Sequence, residues 1–229
     1  MKASGWSRAR DWLRAGLGAM PVLPVLGNHD AILNASGHLR DAFFPNGMHN
    51  DSGSPFYYSI EAGPLRFIVI NLLWGTEDFD QKQRAWFENC LAGVPPGIQI
   101  VVLSHCFLYS SGHFNRPTGQ AWYDKADTIR DIAPLLERYR VTLSVAGHNH
   151  YMEFLRHAGV SYAVIGAMGG KPDPIPTYIS PASVWQRTGS FGYLDLAAWP
   201  DRLELRFIDQ GGTILHQETI ANPRQQTSP

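Results

Sequence analysis

Three apolar runs, Val22-Leu23-Pro24-Val25-Leu26, Val101-Val102-Leu103-Ser104 and Val141-Thr142-Leu143-Ser144-Val145, each empty into polar residues built around histidine. The first run leads into Gly27-Asn28-His29-Asp30, the second into His105, and the third, after Ala146, into Gly147-His148-Asn149-His150. Short apolar runs bounded by glycine or polar residues mark strands buried on both faces, and such strands belong to sheets covered by other layers. In layered α/β folds the chemistry sits on the loops that leave those strands. Three strand ends thus offer imidazoles and an amide.

Around these runs the pattern alternates. Trp6, Ala9, Leu13, Leu17 and Met20 recur at helical spacing and predict an amphipathic helix leading into the first run, ending near Ala15 because Gly16 and Gly18 weaken its last turn. Residues 56–61 and 65–71 flank Ala62-Gly63-Pro64 and predict a hairpin. A helix is expected from about residue 79 to Gly93, and another over 124–139 that, because of Pro134, kinks or restarts after Asp131. Residues 109–123 and 166–190 read as loops, the second long enough to serve a site. Residues 151–155 and 160–165 read as a strand pair, and 191–196, 203–208 and 213–218 as a closing meander. The expected fold is a two-sheet α/β sandwich with helices outside, one domain over residues 1–220, and a frayed polar tail over 221–229.

Composition narrows the function. A formal net charge of −1 gives no electrostatic footprint for nucleic acid, and no apolar run approaches a membrane span. Cys90 and Cys106 are no disulfide framework and are expected as reduced, buried small hydrophobes. There is no Gly-x-Ser-x-Gly elbow for a serine hydrolase and no His-Glu-x-x-His for a zincin.

Imidazole nitrogen and amide oxygen from rigid strand ends suit a borderline metal ion. Asn28, His105, His148 and His150 meet that description, and the His-x-His spacing would let each imidazole of the pair serve one of two neighbouring ions. His38, His49, His157 and His216 are read as surface or satisfied histidines, and His113 as a solvated loop residue or a substrate contact. Tyr178 and Trp185 are read as local packing rather than pocket walls.

With these residues in view, the sequence resembles the calcineurin-like metallophosphoesterases, in the branch similar to purple acid phosphatases. The likeness runs through residues 21–30, Tyr57-Tyr58-Ser59-Ile60, Phe67-Ile68-Val69-Ile70-Asn71, Gln83-Arg84-Ala85-Trp86-Phe87, His105-Cys106-Phe107-Leu108-Tyr109, residues 147–150 and the Gly-rich 165–170. Phe107 stands where the family often has proline. The resemblance implies that Asn28, His105 and His148 ligate one metal and His150 another, Zn, Mn and Fe being alike suited. It implies that His29 contacts the scissile phosphate or protonates the leaving oxygen, with Asp30 orienting its ring, or Asp30 serving as a loop or cap residue. It implies hydrolysis of a small phosphate ester by a metal-bound water or hydroxide.

The family's Asp-x-His and Gly-Asp-x-x-Asp motifs, which precede Gly-Asn-His-Asp, have no match here. The stretch before Gly27 holds one carboxylate, Asp11. The expectation is therefore an N-terminally truncated site, left with neutral ligands and without the carboxylates that offset a dication's charge. The alternative is a catalytically inactive binding module of the same fold.

Overall fold

The computed structural model describes residues 3–18, 20–32, 52–117 and 119–225. Along the chain, helices α1 (Ala3–Leu17) and α2 (Asn28–Ile32) precede a hairpin of β1 (Tyr58–Ala62) and β2 (Leu65–Val69). Helix α3 (Gln81–Ala92) leads to β3 (Gln99–Ser104), then to a small hairpin of β4 (His113–Asn115) and β5 (Gln120–Trp122). Helix α4 (Ala126–Arg138) is followed by β6 (Leu143–Ala146), β7 (Met152–His157), β8 (Val160–Ile165) and β9 (Ser183–Arg187). The meander of β10 (Gly192–Ala198), β11 (Arg202–Asp209) and β12 (Ile214–Ala221) comes last.

Seven strands form one sheet in the order β1-β2-β3-β6-β8-β7-β9, with β2, β3, β6 and β8 parallel to one another and the β1-β2, β8-β7 and β7-β9 pairs antiparallel. The meander forms a second sheet. Side-chain alternation explains the apolar runs: on β3, Ile100 and Val102 pack toward α3 and α4 with Phe87, Leu91, Ile132 and Leu136, while Val101 packs toward Leu203, Leu205 and Phe207 of the second sheet. Both faces of β3 are dry, so the centre of the strand is apolar throughout. This is the two-sheet α/β sandwich read from the sequence.

Helix α3 begins where Asp80 accepts the Gln83 N–H at 2.7 Å and buries Trp86, Phe87, Cys90 and Leu91 on one face. Helix α4 runs unbroken through Pro134, so it does not restart after Asp131. Pro134 is exposed, so the carbonyl it cannot serve lies on the outer side, where water can.

Other expectations are corrected. Residues 20–27 join no sheet, because Pro21 and Pro24 have no N–H to give to a ladder; instead the Tyr58 hydroxyl donates to the Pro24 carbonyl at 2.7 Å. Helix α1 passes Ala15 and ends at Leu17, with Gly18 left-handed at φ 63° and donating to Arg14 O. Its Trp12 is 74% exposed. The loops read over 109–123 and 166–190 contain β4 with β5, and β9, strands too short or too exposed to show alternation. In the polar tail, Arg224 donates to the carbonyls of Val94, Ile98 and Tyr139 at 2.7, 3.0 and 2.7 Å.

Candidate metal centre

Parallel strands β3 and β6 lie side by side, so their C-terminal ends deliver His105 and Gly147 to one place. Gly147 N–H donates to the His105 carbonyl at 3.1 Å, continuing the pairing just past the strands. His105 Nε2 and His148 Nδ1 are then 3.1 Å apart, the two rings edge to face. The Gly-Asn-His-Asp turn closes on the other side, where a Cβ at Gly27 would lie 3.0 Å from His105 Nδ1. A side chain there would have to push the His105 ring back by a few tenths of an ångström, which glycine avoids.

Within this turn Gly27 and Asp30 clasp each other: the Gly27 N–H donates to Asp30 Oδ2 at 2.9 Å and the Asp30 N–H to Gly27 O at 3.0 Å. Burial lifts the Asp30 carboxyl above its usual range, opposed by that Gly27 N–H. Asn28 is buried and His29 exposed. Asp30 therefore holds the turn.

His148 adopts φ 64°, and Asn149 N–H returns to Gly147 O at 2.8 Å. A left-handed three-residue turn on a residue with a side chain costs about 1–3 kcal/mol and tends to mark functional sites. Strand alternation therefore does not place the His-x-His pair. His148 is walled by Trp74, Phe107 and Trp122, with ring centroids 5.4, 5.9 and 5.3 Å away. The aromatic Phe107, where the resemblance led to an expectation of proline, is one of those walls. Beside it, a cavity of about 60 Å³ is lined by Trp74, Glu77, Gln120, Trp122, Lys125 and His148 among others.

His150 stands on the next turn. Its Nδ1 donates to the Lys171 carbonyl at 2.9 Å, which leaves Nε2 with a free lone pair, and its backbone N–H donates to Asp173 Oδ2 at 2.7 Å. The 166–173 segment presses so closely that a Cβ at Gly166 would lie 2.0 Å from Asn149 O, and one at Gly170 2.5 Å from His150 Cε1. Sequence reasoning missed Asp173; its one signal was the glycine-rich run, which marks close backbone approach.

Burial above all, helped by the nearby His29 and His150 and, for His148, first by His105, lowers the imidazolium pKa to about 4 for His105 and about 3 for His148. Both rings are therefore neutral at pH 7, the form that ligates metal. Two neutral ring nitrogens 3.1 Å apart suit one shared cation with nitrogen bonds of about 2.0–2.1 Å. The donor set fits a metal in part: among the described residues, no three His, Cys, Asp or Glu side chains converge.

The remaining histidines are engaged elsewhere. His113 Nε2 meets Pro174 O at 3.2 Å, His157 lies against Tyr109, and His216 stacks on Trp185 and meets Glu218. Tyr178 stacks on Tyr123 and donates to Asp124. His38 and His49 lie outside the described residues. Cys90 and Cys106 are buried free thiols, and burial pushes Cys106 up to about 12, so it is no nucleophile for His105. No helix among the described residues is long and apolar enough to cross a membrane.

Residues 4–152 match the family model for calcineurin-like phosphoesterases. Probable inactive purple acid phosphatase 9 of Arabidopsis thaliana is 27% identical over 180 residues, covering 66% of this chain and 26% of that protein. Purple acid phosphatase 23 of the same plant is 27% identical over 143 residues, covering 58% of this chain and 29% of its own length. The chain thus spans under a third of these relatives. The solved structure of purple acid phosphatase PPD1 from yellow lupin (Lupinus luteus) seeds matches 86% of this chain and 37% of its own, with a TM-score of 0.71 and 22% identity, a likeness of fold.

Proposed function

Because this chain belongs to the calcineurin-like phosphoesterase family, we propose that it carries part of a metal-dependent site for hydrolysis of small phosphate esters. In this reading Asn28, His105 and His148 hold one ion and His150 a second. A bound ion would neutralise charge on the phosphate oxygens and acidify a water. His29, exposed on the Gly-Asn-His-Asp turn, protonates the leaving oxygen, and the Asp30 clasp on Gly27 fixes the turn that carries it. Lys171 O sets the His150 tautomer and leaves Nε2 for the ion. The observation that carries the reading is the meeting of the His105 and His148 ring nitrogens, neutral and 3.1 Å apart, against the Gly-Asn-His-Asp turn.

A second reading, an inactive module of the same fold, is favoured by the neutrality of the donors. No carboxylate joins these imidazoles among the described residues, so full metal affinity would need acidic ligands from polypeptide beyond this donor set. One experiment separates the two: purify the chain with Zn, Mn or Fe supplied, measure bound metal by elemental analysis, and assay p-nitrophenyl phosphate. Saturable turnover that a chelator abolishes and His148→Asn removes supports the phosphoesterase. Metal-free protein without turnover supports the inert module.

A further inference from the structure

Asn149 sits between the two candidate ligand imidazoles, yet its side chain turns inward. It is 2% exposed, and its Nδ2 donates to Ser110 Oγ at 2.9 Å, Ser111 O at 3.1 Å and Trp122 O at 3.2 Å. Its backbone is the shared corner of two successive three-residue turns: Asn149 N–H returns to Gly147 O at 2.8 Å around His148, and Tyr151 N–H returns to Asn149 O at 3.0 Å around His150. A left-handed turn persists only where its surroundings over-determine it.

Beneath Asn149 lies a fully buried carboxylate. Glu153 accepts the Ser111 N–H at 2.9 Å and the Ser111 hydroxyl at 2.5 Å, and the Tyr151 hydroxyl lies 3.3 Å from its Oε2. No Lys or Arg pairs with it among the described residues. Ser111 Oγ also accepts the Ser180 N–H at 3.0 Å, and Ser110 Oγ and Tyr151 Oη are 2.7 Å apart. Three segments, around Ser111, Asn149 and Ser180, are thereby tied to the one Glu153 side chain.

We propose that Asn149 and Glu153 are positioning residues for His148 and His150: Glu153 fixes Ser111, Ser110 and Ser111 fix the Asn149 amide, and the amide fixes the double turn that aims both rings. The inference rests on His148 and His150 being the functional imidazoles, but its main test uses metal-free protein. A buried polar network of this kind specifies a single arrangement because each member left unpaired is penalised.

The test is long-range proton–nitrogen NMR of the imidazoles in the full chain, with melting temperature measured in parallel. Asn149→Asp keeps the shape but has no N–H to give, and Glu153→Gln keeps the shape but sets a donor against Ser111. Each is expected to shift the ring signals of His148 and His150 and to disturb the His148 pairing with His105, while His157 and His216 stay in place. Ser110→Ala, which removes one acceptor, gives a smaller shift of the same pattern and serves if the others fail to fold. As a second readout, Zn²⁺ affinity falls about 10–100-fold where the wild type binds it. Unchanged His148 and His150 signals in variants with a lowered melting temperature would overturn the proposal. So would equal shifts in Leu91→Ala, a distant core variant, at matched melting temperature. A wild-type chain that takes up no metal would refute the phosphoesterase reading and leave this test standing.

Discussion

Gly170→Ala isolates the fit between the 166–173 segment and the His150 ring. A Cβ at Gly170 would lie 2.5 Å from His150 Cε1 and 2.7 Å from both ring nitrogens. Carbon contacts settle near about 3.5–4.0 Å, so ring and segment must part by about 1 Å. Gly170 is not left-handed, so alanine brings crowding without backbone strain. Parting by that much carries the bond from His150 Nδ1 to Lys171 O, now 2.9 Å, out of range. Overpacking costs about 1–3 kcal/mol and the lost bond about 1 kcal/mol more. At about 2–4 °C per kcal/mol for a chain of this size, the melting temperature should fall by about 5–15 °C. The larger effect is on the ring: a misplacement of about 1 Å costs about 100-fold in rate. Scanning calorimetry, the His150 ring nitrogen signals and p-nitrophenyl phosphate turnover of metal-supplied protein check each part. A Gly170→Ala protein with wild-type melting and an undisturbed His150 signal refutes the reasoning, because the segment would then yield without moving the imidazole.

Burial of His105 and His148 makes stability depend on pH. Their folded values, about 4 and about 3, lie below the unfolded 6.5, so between these limits the unfolded chain binds more protons; the stabilisation is present above about 6.5 and is lost as pH falls toward 4. Urea titrations of metal-free protein at pH 7 and pH 5 should show it, with a weaker dependence in His148→Asn; identical pH dependence in both proteins would contradict it. Phe87→Ala, at a fully buried position on the inner face of α3, should cost about 3–5 kcal/mol in denaturant unfolding. Asp80→Ala removes the cap on the Gln83 N–H and should cost about 0.5–2 kcal/mol, with Asp80→Asn or Asp80→Ser recovering most of it.

Much of the centre was legible because its residues have few other uses. Parallel strands buried on both faces are built from apolar residues, so β3 and β6 announce themselves, and glycine next to histidine at the end of β6 marks where the backbone turns. The hairpin of β1 and β2 showed through Gly63, left-handed at φ 57°. What stayed hidden was of three kinds. Residues 20–27 look apolar enough for a strand, but prolines at 21 and 24 deny it a ladder, and donor loss outweighs hydrophobicity. Among the described residues strand β9 pairs only with β7 and is half exposed, so its sequence Ser183-Val184-Trp185-Gln186-Arg187 carries no clean alternation. The aim of His148 and His150 was invisible because it comes from turns rather than strand pleat, and those turns depend on Glu153 and Ser111, which are far apart in sequence from each other.

Arg224 gives the molecule a direction in time. Its guanidinium joins carbonyls of Val94, Ile98 and Tyr139, which precede it by 130, 126 and 85 residues. A ribosome adding about 5–20 residues per second makes those carbonyls on the order of ten seconds before the group that satisfies them. The contacts that Arg224 makes at the far end of the sandwich can thus form only after the histidine-bearing strands have been synthesised.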